Sequence, residues 1–573
     1  MTAEHATPLA ARVDEVVERL TQGEKSWAAT SLEKRGEMLD VLVELTDRHA
    51  DEWVRVASTI KHLPADSPLV GEEWISGPWA TASALQSLRQ TIGRMAAGEG
   101  ATSGFHARAV PGGRVAMRVL PHSTYDRLLL NGFSAEVWLE PGVGEKEARD
   151  TAGLGLRDPA RTNGVTLVLG AGNIFSIAPL DTIYQLYAEN RVVALKLNPI
   201  SEPLLPVFEA IFAPFIELGV VEILTGGADI GGLLAHHPGV AAVHMTGSEN
   251  THDAIVWGVG EDRARNKSAD TPLLTKPITS ELGGVAPVIV VPGAWSKADL
   301  TFQARHVATQ RLHNSGSNCI AAQVVIVSSD WPQKDEFLEL VKEALADAPP
   351  RPSWYPGSAD RVASARATHP ECAHHVGGTP DRTLLTLDLQ RPEDPAFSDE
   401  YFAPVLGVAE LPATGADFLR AAVTAANEKL RGTLGANIIV HPRTVDQVGE
   451  EFEEIVADLR YGTIGINAWT GVGYLTANAT WGAFPGHRLD DVQSGIGVVH
   501  NALLLERPER TVVRGPFRPT PRSILHGEWT LSPKPPWFVD NRTADVTGRR
   551  LARLAASPSF AKLPGIFASA LRG

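Results

Sequence analysis

Along the first hundred residues, hydrophobic side chains return every three or four positions: Leu9, Val13, Val16, Val17 and Leu20, then Leu39, Leu42, Leu45 and Trp53. That spacing lines one face of a helix and predicts a helical N-terminal region. Near Val115 the rhythm shortens, with Gly112, Gly113, Pro121, Pro141 and Gly142 as punctuation. This predicts strand-like pieces over about 115–163, either a surface elaboration or a subunit-contact arm.

From Gly164 onward, apolar runs and amphipathic segments alternate. The runs Val165 to Leu169, Val192 to Leu197, Val220 to Leu224 and Ala241 to Met245 predict strands. Helices are expected over Pro179 to Asn190, Leu204 to Leu218 and Ile230 to Ala235. Gly170, Gly172, Gly226, Gly227 and Gly247 fall at the strand ends. Short apolar strands separated by helices predict an α/β fold with a Rossmann-type, doubly wound parallel sheet, whose ligands bind at the carboxyl ends of the strands. A second α/β region begins near Ser280, with strands at Val288 to Val291 and Val324 to Val327 flanking a long segment that carries Cys319. Residues 347–395 are rich in Pro, Arg and His and read as loop-like. From Arg514 the chain is Pro-rich, then basic from Arg542 to Arg572.

Composition narrows the classes. At 573 residues the chain is too long for one small module, and 43% hydrophobic against 21% charged residues is ordinary for a folded protein. A net charge of −15 disfavours a dedicated nucleic-acid binder. Met1 to Val13 lacks the basic and apolar regions of a secretory leader, and no stretch approaches the roughly 20 apolar residues of a membrane span. Two cysteines, Cys319 and Cys372, build no disulfide framework and suit a reducing, cytoplasmic setting. His369, Cys372, His374 and His375 lack a second ligand pair at metal-finger spacing, so a solvated loop rather than a metal site is expected there.

The candidate chemistry lies elsewhere. Gly170 and Gly172 supply two glycines of a dinucleotide fingerprint, but Phe175 occupies the third place, so this signal is weak by itself. Cys319 follows a small, polar, flexible run, Asn314-Ser-Gly-Ser-Asn, which suits a thiol presented on a turn. Upstream, Glu281 precedes Gly283 and Gly284 at the mouth of a strand. A nucleophile and a carboxylate base beside a dinucleotide fold suit oxidation of a carbonyl through a covalent intermediate.

These residues, taken in order, resemble the aldehyde dehydrogenase superfamily. The resemblance runs over roughly Gly164 to Gly497, through Asn173, Lys196, the Gly231 helix, Thr246-Gly247-Ser248, Glu281-Leu-Gly-Gly284, Asn314-x-Gly316-x-x-Cys319 and Glu400-Tyr-Phe402-Ala-Pro404. It ends with Gly462-Thr-Ile-Gly-Ile-Asn467 and Ser494-Gly-Ile-Gly497. It implies Cys319 as nucleophile, Asn173 as oxyanion donor with the Cys319 N–H, and Glu281 as the base for thioester hydrolysis. It also implies NAD or NADP, held by Lys196 and Glu400 at the two riboses, Phe402 beside the nicotinamide, and Gly231, Gly247 and Ser248 near the pyrophosphate.

Departures from the usual family pattern bear on cofactor and substrate. Pro199 stands where an acidic residue commonly meets the adenosine hydroxyls, which leaves NADP open. His252 replaces a glycine five residues beyond Gly247, Ser317 a glutamine before the nucleophile, and Gly172 a tryptophan ahead of Asn173. An NADPH-linked acylating or acyl-reducing enzyme, permitted by Pro199 and disfavoured by Glu281, and a catalytically silent binding relative stay as alternatives. The implied organisation is an NAD(P)-binding domain over 1–280, a catalytic domain over 281–480, a return and oligomerisation strand over 481–515 and an extension over 516–573. The region Val498 to Val513 would pair with another subunit in a homodimer or homotetramer, and an aldehyde would be the small-molecule substrate.

Overall fold

A computed structural model describes residues 3–377 and 382–573. Residues 1 and 2, at the start of the segment read as lacking a leader, and 378–381, within the stretch read as loop-like, lie outside the described residues.

Two sheets organise the molecule. The smaller has the spatial order Gly495–Ile496, Ile278–Leu282, Val240–Gly247, Val165–Leu169, Val192–Lys196, Val221–Leu224. All neighbours run parallel except the antiparallel edge Gly495–Ile496. From Val165–Leu169 the chain winds outward through Val192–Lys196 and Val221–Leu224, then returns to the other side at Val240–Gly247. The winding therefore reverses beside Val165–Leu169, and open α/β sheets form their ligand crevice at such a point. Val192–Lys196 is buried throughout, because helices cover both faces; this is why the strand reads as an unbroken apolar run.

The larger sheet has eleven strands. Its parallel centre contains Thr463–Ile466, Gly435–Ile439, Ala286–Val290, Ala322–Ser328 and Val405–Leu411. The strand-rich segment read over about 115–163 supplies Arg114–Leu120 and Ser134–Leu139, which extend this sheet at one end. Within Val498 to Val513, the region expected to pair with another subunit, the strand Pro508–Arg514 already has partners inside the chain. Pro508–Arg514 pairs with Thr463–Ile466 on one edge and Ser134–Leu139 on the other, so both its rows of backbone groups are satisfied within the chain.

Three further readings are corrected. The loop-like stretch 347–395 contains the helix Ser358–Thr368 and the strands Ala373–His375 and Thr383–Leu387. That helix buries only small or medium side chains, Ser358, Val362 and Ala365, so its periodicity is faint in the sequence. Within the same stretch His369 is buried and paired with Asp394 at 2.9 Å rather than solvated. Pro199–Glu217 does reach the length and apolarity of a membrane-crossing helix. It buries Val207, Phe208, Ile211, Phe212 and Phe215 against the long N-terminal helix Leu32–Ile60 and the nucleotide-type sheet.

The C-terminal extension folds onto the body as the helices Ala544–Ala556 and Leu563–Ala570. Its basic face is answered by acids of Leu32–Ile60: Arg553 meets Asp47 at 2.7 Å and Asp51 at 2.5 Å, and Arg549 meets Asp51 at 2.9 Å.

Candidate active site

The segment carrying Cys319 is held in an unusual backbone. The helix Lys297–Leu312 ends in a turn where Asn314, Ser315 and Gly316 have φ of 53°, 56° and 75°. Three successive left-handed residues, two of them with a Cβ, need outside support. The Asn314 N–H donates to Glu72 Oε2 at 3.0 Å, and Arg311 donates to the Gly316 carbonyl at 2.6 Å. A Cβ on Gly316 would sit 2.7 Å from the Ala403 backbone, so no larger residue fits. Glu72 also pairs with the buried Arg351, next to the fully buried pair of Lys61 and Glu73 at 2.8 Å. The sequence gives no sign of this bracing, because its charges sit in separate helices and loops.

Cys319 is part-buried at the floor of a pocket of about 60 Å³ that Asn173 and Glu281 also line. Asn173 lies beyond the strand Val165–Leu169 and donates through Nδ2 to the Ser317 carbonyl at 3.0 Å. Asn314 Nδ2 donates to the same carbonyl at 3.0 Å and to the Asn173 carbonyl at 3.1 Å, locking the two segments together. One amide proton of Asn173 engages Ser317, and the other is free to serve a ligand. Gly172 before it is pressed on Asn198, where a Cβ would come within 2.6 Å of the side chain. The tryptophan of the usual pattern has no room there.

Glu281 ends the strand Ile278–Leu282 and is buried. Trp481 Nε1 donates to its Oε1 at 2.9 Å. Burial raises the Glu281 carboxyl to about 7, partly offset by hydrogen bonds from the Cys319 thiol and the Trp481 indole. Burial also pushes the Cys319 thiol up, and the Glu281 and Glu400 carboxyls push it further. The pair therefore rests as a thiol facing a carboxyl that can take its proton near neutrality. Asp181, which accepts from Thr246 Oγ1 at 2.9 Å, adds negative charge behind Glu281 and favours its protonated form.

The remaining sequence-derived residues surround this pocket without lining it. The Glu400 carboxylate occupies the space a side chain on Gly283 would need, 2.1 Å from the ideal Cβ position. The Gly284 N–H interacts with it, Oε1 has no hydrogen-bond partner, and burial together with Glu281 raises its pKa. Phe402 has φ of 46° and packs edge-on against Tyr355 at 4.9 Å. Lys196 ends the strand Val192–Lys196; it is buried, its pKa is lowered by that burial, and it faces the carboxylates of Glu202 and Asp229. Gly231 lies in the helix Ala228–His236. Gly247 closes its strand and Ser248 caps the helix Glu249–Val256, accepting from the Thr251 N–H at 3.3 Å. His252 lies within that helix and is buried, with Nδ1 3.4 Å from Asp253.

Comparison with known proteins fits this geometry. The aldehyde dehydrogenase family model matches residues 175–354, which include Lys196, Gly231, Gly247, Ser248, Glu281 and Cys319. A 3,6-anhydro-alpha-L-galactose dehydrogenase of Streptomyces coelicolor is 25% identical over 359 residues, 62% of this chain and 58% of that protein. An NADP(+) succinate-semialdehyde dehydrogenase of Mycobacterium avium is 33% identical over 118 residues, 20% of this chain and 22% of its own length. The chain thus spans less than two thirds of either curated relative. Among solved structures, a Mycobacterium tuberculosis aldehyde dehydrogenase complexed with NAD+ superposes with a TM-score of 0.59 at 17% identity, covering 88% of this chain and 90% of that one. The gamma-glutamyl-gamma-aminobutyraldehyde dehydrogenase of Burkholderia cenocepacia gives 0.58 at 19% identity over 88% of each. At such identities the superposition speaks for the fold alone. The family model over residues 175–354 and the sequence relatives, added to that fold, support membership of the aldehyde dehydrogenase superfamily.

Proposed function

We propose that this protein oxidises an aldehyde to its carboxylate, using NAD or NADP, through a covalent intermediate on Cys319. The observation that carries the reading is the convergence of Cys319, Glu281 and the spare amide proton of Asn173 on one pocket. The cofactor reading is tested by the polar groups left over around the strand ends. Glu400 has a buried carboxylate oxygen with no partner, and the buried Lys196 donates no hydrogen bond among the described residues. Both suit a ligand rich in hydroxyls and phosphate oxygens. Lys196 and Glu400 would hold the riboses, and Ser248 with the helix Glu249–Val256 would face the pyrophosphate. When bound, the nicotinamide supplies a two-electron acceptor for the hydride released from the substrate carbon.

The chain's own groups do the rest. Glu281 takes the thiol proton as Cys319 Sγ bonds to the aldehyde carbon, and the carbonyl oxygen becomes an oxyanion. Asn173 Nδ2 and the Cys319 N–H donate to that oxygen, and each such donor contributes about 3–4 kcal/mol. Loss of hydride from the carbon restores the C=O bond as a thioester. Glu281 first gives the thiol proton up to solvent and then, as carboxylate, removes a proton from water; the hydroxyl adds to the thioester carbon, the C–S bond breaks, and Cys319 leaves as the thiolate that Glu281 reprotonates, releasing the carboxylic acid. The test is mixing the purified protein with a panel of aldehydes and either cofactor. A rise in reduced-nicotinamide absorbance that is abolished in Cys319→Ala and needs no coenzyme A is expected. No rise with any aldehyde overturns the reading.

A further inference from the structure

The C-terminal extension has no role in the chemistry above, yet it builds the larger of two adjoining cavities. Beside the pocket of Cys319, about 60 Å³, lies a chamber of about 240 Å³. Ile75 and Trp537 line both and stand between them. One wall of the chamber is Leu551, Leu554, Ile566 and Phe567 from the two C-terminal helices; Leu129 and Phe133 face them.

The partition is a built feature. Ile75–Trp79 is a single π-helical turn in which the Ala80 N–H reaches back to the Ile75 carbonyl. The wider turn lets one short segment put Ile75 and Ser76 on the nucleophile's pocket and Trp79 on the chamber. The helix Ala544–Ala556 crosses directly over it. A Cβ on Gly71 would lie 2.3 Å from Ala544, and one on Gly548 would lie 2.9 Å from Trp74 Cβ and 3.3 Å from Ile75 Cγ1. Side chains that small let the backbones touch, so the extension fixes the position of the partition itself.

The charge inside the chamber is equally specific. Among the described residues no Lys or Arg lines it. Its carboxylate, Asp126, is committed to the His122 and Ser123 N–H groups at 2.9 and 2.8 Å. Burial, Arg94 and Arg127 lower the pKa of His122, against Asp126, which raises it. An anionic tail would enter without a counter-ion, and an apolar tail would find Trp, Leu, Phe and Ile surfaces.

We propose that this chamber is the tail compartment of the substrate site, accepting aldehydes with an uncharged apolar tail and rejecting those whose tail ends in a carboxylate. The inference rests on the aldehyde-oxidising reading for its reactive end only. It is tested by comparing kcat/KM for decanal, propanal and succinate semialdehyde in the wild type and in Ala555→Trp, which fills the chamber from its part-exposed C-terminal wall. Ser83→Trp fills it from the opposite helix, Ala80–Ala96, and guards against a folding defect in either variant. The wild type should prefer decanal over both others, and the decanal-to-propanal ratio should fall at least about tenfold in each variant, as expected when two or more methylenes are kept in water. An unchanged ratio, or a preference for the anionic aldehyde, overturns the proposal. Decanol titrated calorimetrically into Cys319→Ala gives a readout without turnover, and binding that Ala555→Trp removes is expected. If decanol binds in this way but no aldehyde is oxidised, the chamber stands and the reaction falls. If decanol does not bind, or binds equally to the filled variant, the chamber falls whatever the reaction.

Discussion

The indole N–H of Trp481 donates to Oε1 of Glu281 at 2.9 Å, across 200 positions of sequence. A donor to a carboxylate favours its charged form, so it opposes the burial that raises Glu281 to about 7. The hydrolytic step needs the ionised carboxylate, and its rate should rise with pH to a plateau, with a midpoint near 7. In Trp481→Phe that donor is gone, the charged form is less stable, and the midpoint should move to higher pH. The pH profile of kcat checks this; an unmoved midpoint would show that another group sets the limb.

The same burial makes Glu281 costly to the fold. Its folded pKa, about 7, lies above the ordinary 4.5, so its contribution is most favourable below pH 4.5 and is lost as pH rises through 7. The shift corresponds to about 3 kcal/mol. Glu281→Gln should therefore be more stable than the wild type at pH 8 by up to about 3 kcal/mol, and the gap should shrink toward acid pH. Denaturant unfolding at the two pH values measures it. The same variant should lose turnover by about 10²–10⁴-fold and form its first equivalent of reduced cofactor more slowly as well, since the thiol and the water both lose their base.

Asn173 has a double duty. It donates to Ser317 at 3.0 Å and offers its second proton to the pocket. Asn173→Ala should lower kcat/KM by about 10²–10³-fold. The lost Ser317 bond should cost stability only about 1 kcal/mol, because Asn314 still donates to the same carbonyl at 3.0 Å. A stability loss large enough to explain the activity loss would reassign Asn173 to the scaffold.

How far the sequence reveals this molecule depends on where each element's partners lie. Val165–Leu169 is legible to the residue, because burial on both faces makes it an apolar run between glycines. Pro508–Arg514 is not legible as an interior strand. It buries Glu509 and Arg510, whose charge is absorbed by Arg114 at 2.7 Å and by the Leu459 carbonyl at 2.6 Å. Such pairings cross 395 and 51 residues and leave no local pattern. Cys319 and Glu281 stand out because their neighbours are small and polar, or are glycines. Trp481, Glu72 and the chamber walls are ordinary hydrophobic or charged residues until the fold brings them to the site.

Glu72 offers a test of that hidden bracing. It is buried, accepts the Asn314 N–H at 3.0 Å and pairs with Arg351; burial raises its pKa, but Arg351, His313 and Lys61 together lower it below the ordinary value. Removing one partner leaves the other charge buried alone, which costs about 3–5 kcal/mol. Glu72→Ala should lose stability on that scale, and Glu72→Met with Arg351→Met should lose clearly less. Both should slow alkylation of Cys319 relative to the exposed Cys372 or scatter it over pH, since the left-handed turn loses its anchor. Peptide mapping after iodoacetamide treatment distinguishes the two thiols.

The surroundings of Lys196 bear on cofactor choice. Pro199 removes the acidic residue expected near the adenosine ribose, which by itself admits a 2′-phosphate. The structure replaces it with two other carboxylates, since Glu202 and Asp229 both face Lys196. Glu202 is fixed in place by the Gly226 N–H at 2.9 Å, and Asp229 by the Ile230 N–H at 2.9 Å. A 2′-phosphate beside Lys196 would share that cation with both carboxylates and be repelled by each, whereas ribose hydroxyls can donate to them. NAD should therefore bind more tightly than NADP. Asp229→Asn, which keeps the helix-end hydrogen bond and removes one charge, should narrow the gap by improving NADP. Calorimetric titration of both nucleotides, with no aldehyde present, reads this directly; equal affinities in the wild type would mean that neither carboxylate reaches the ribose.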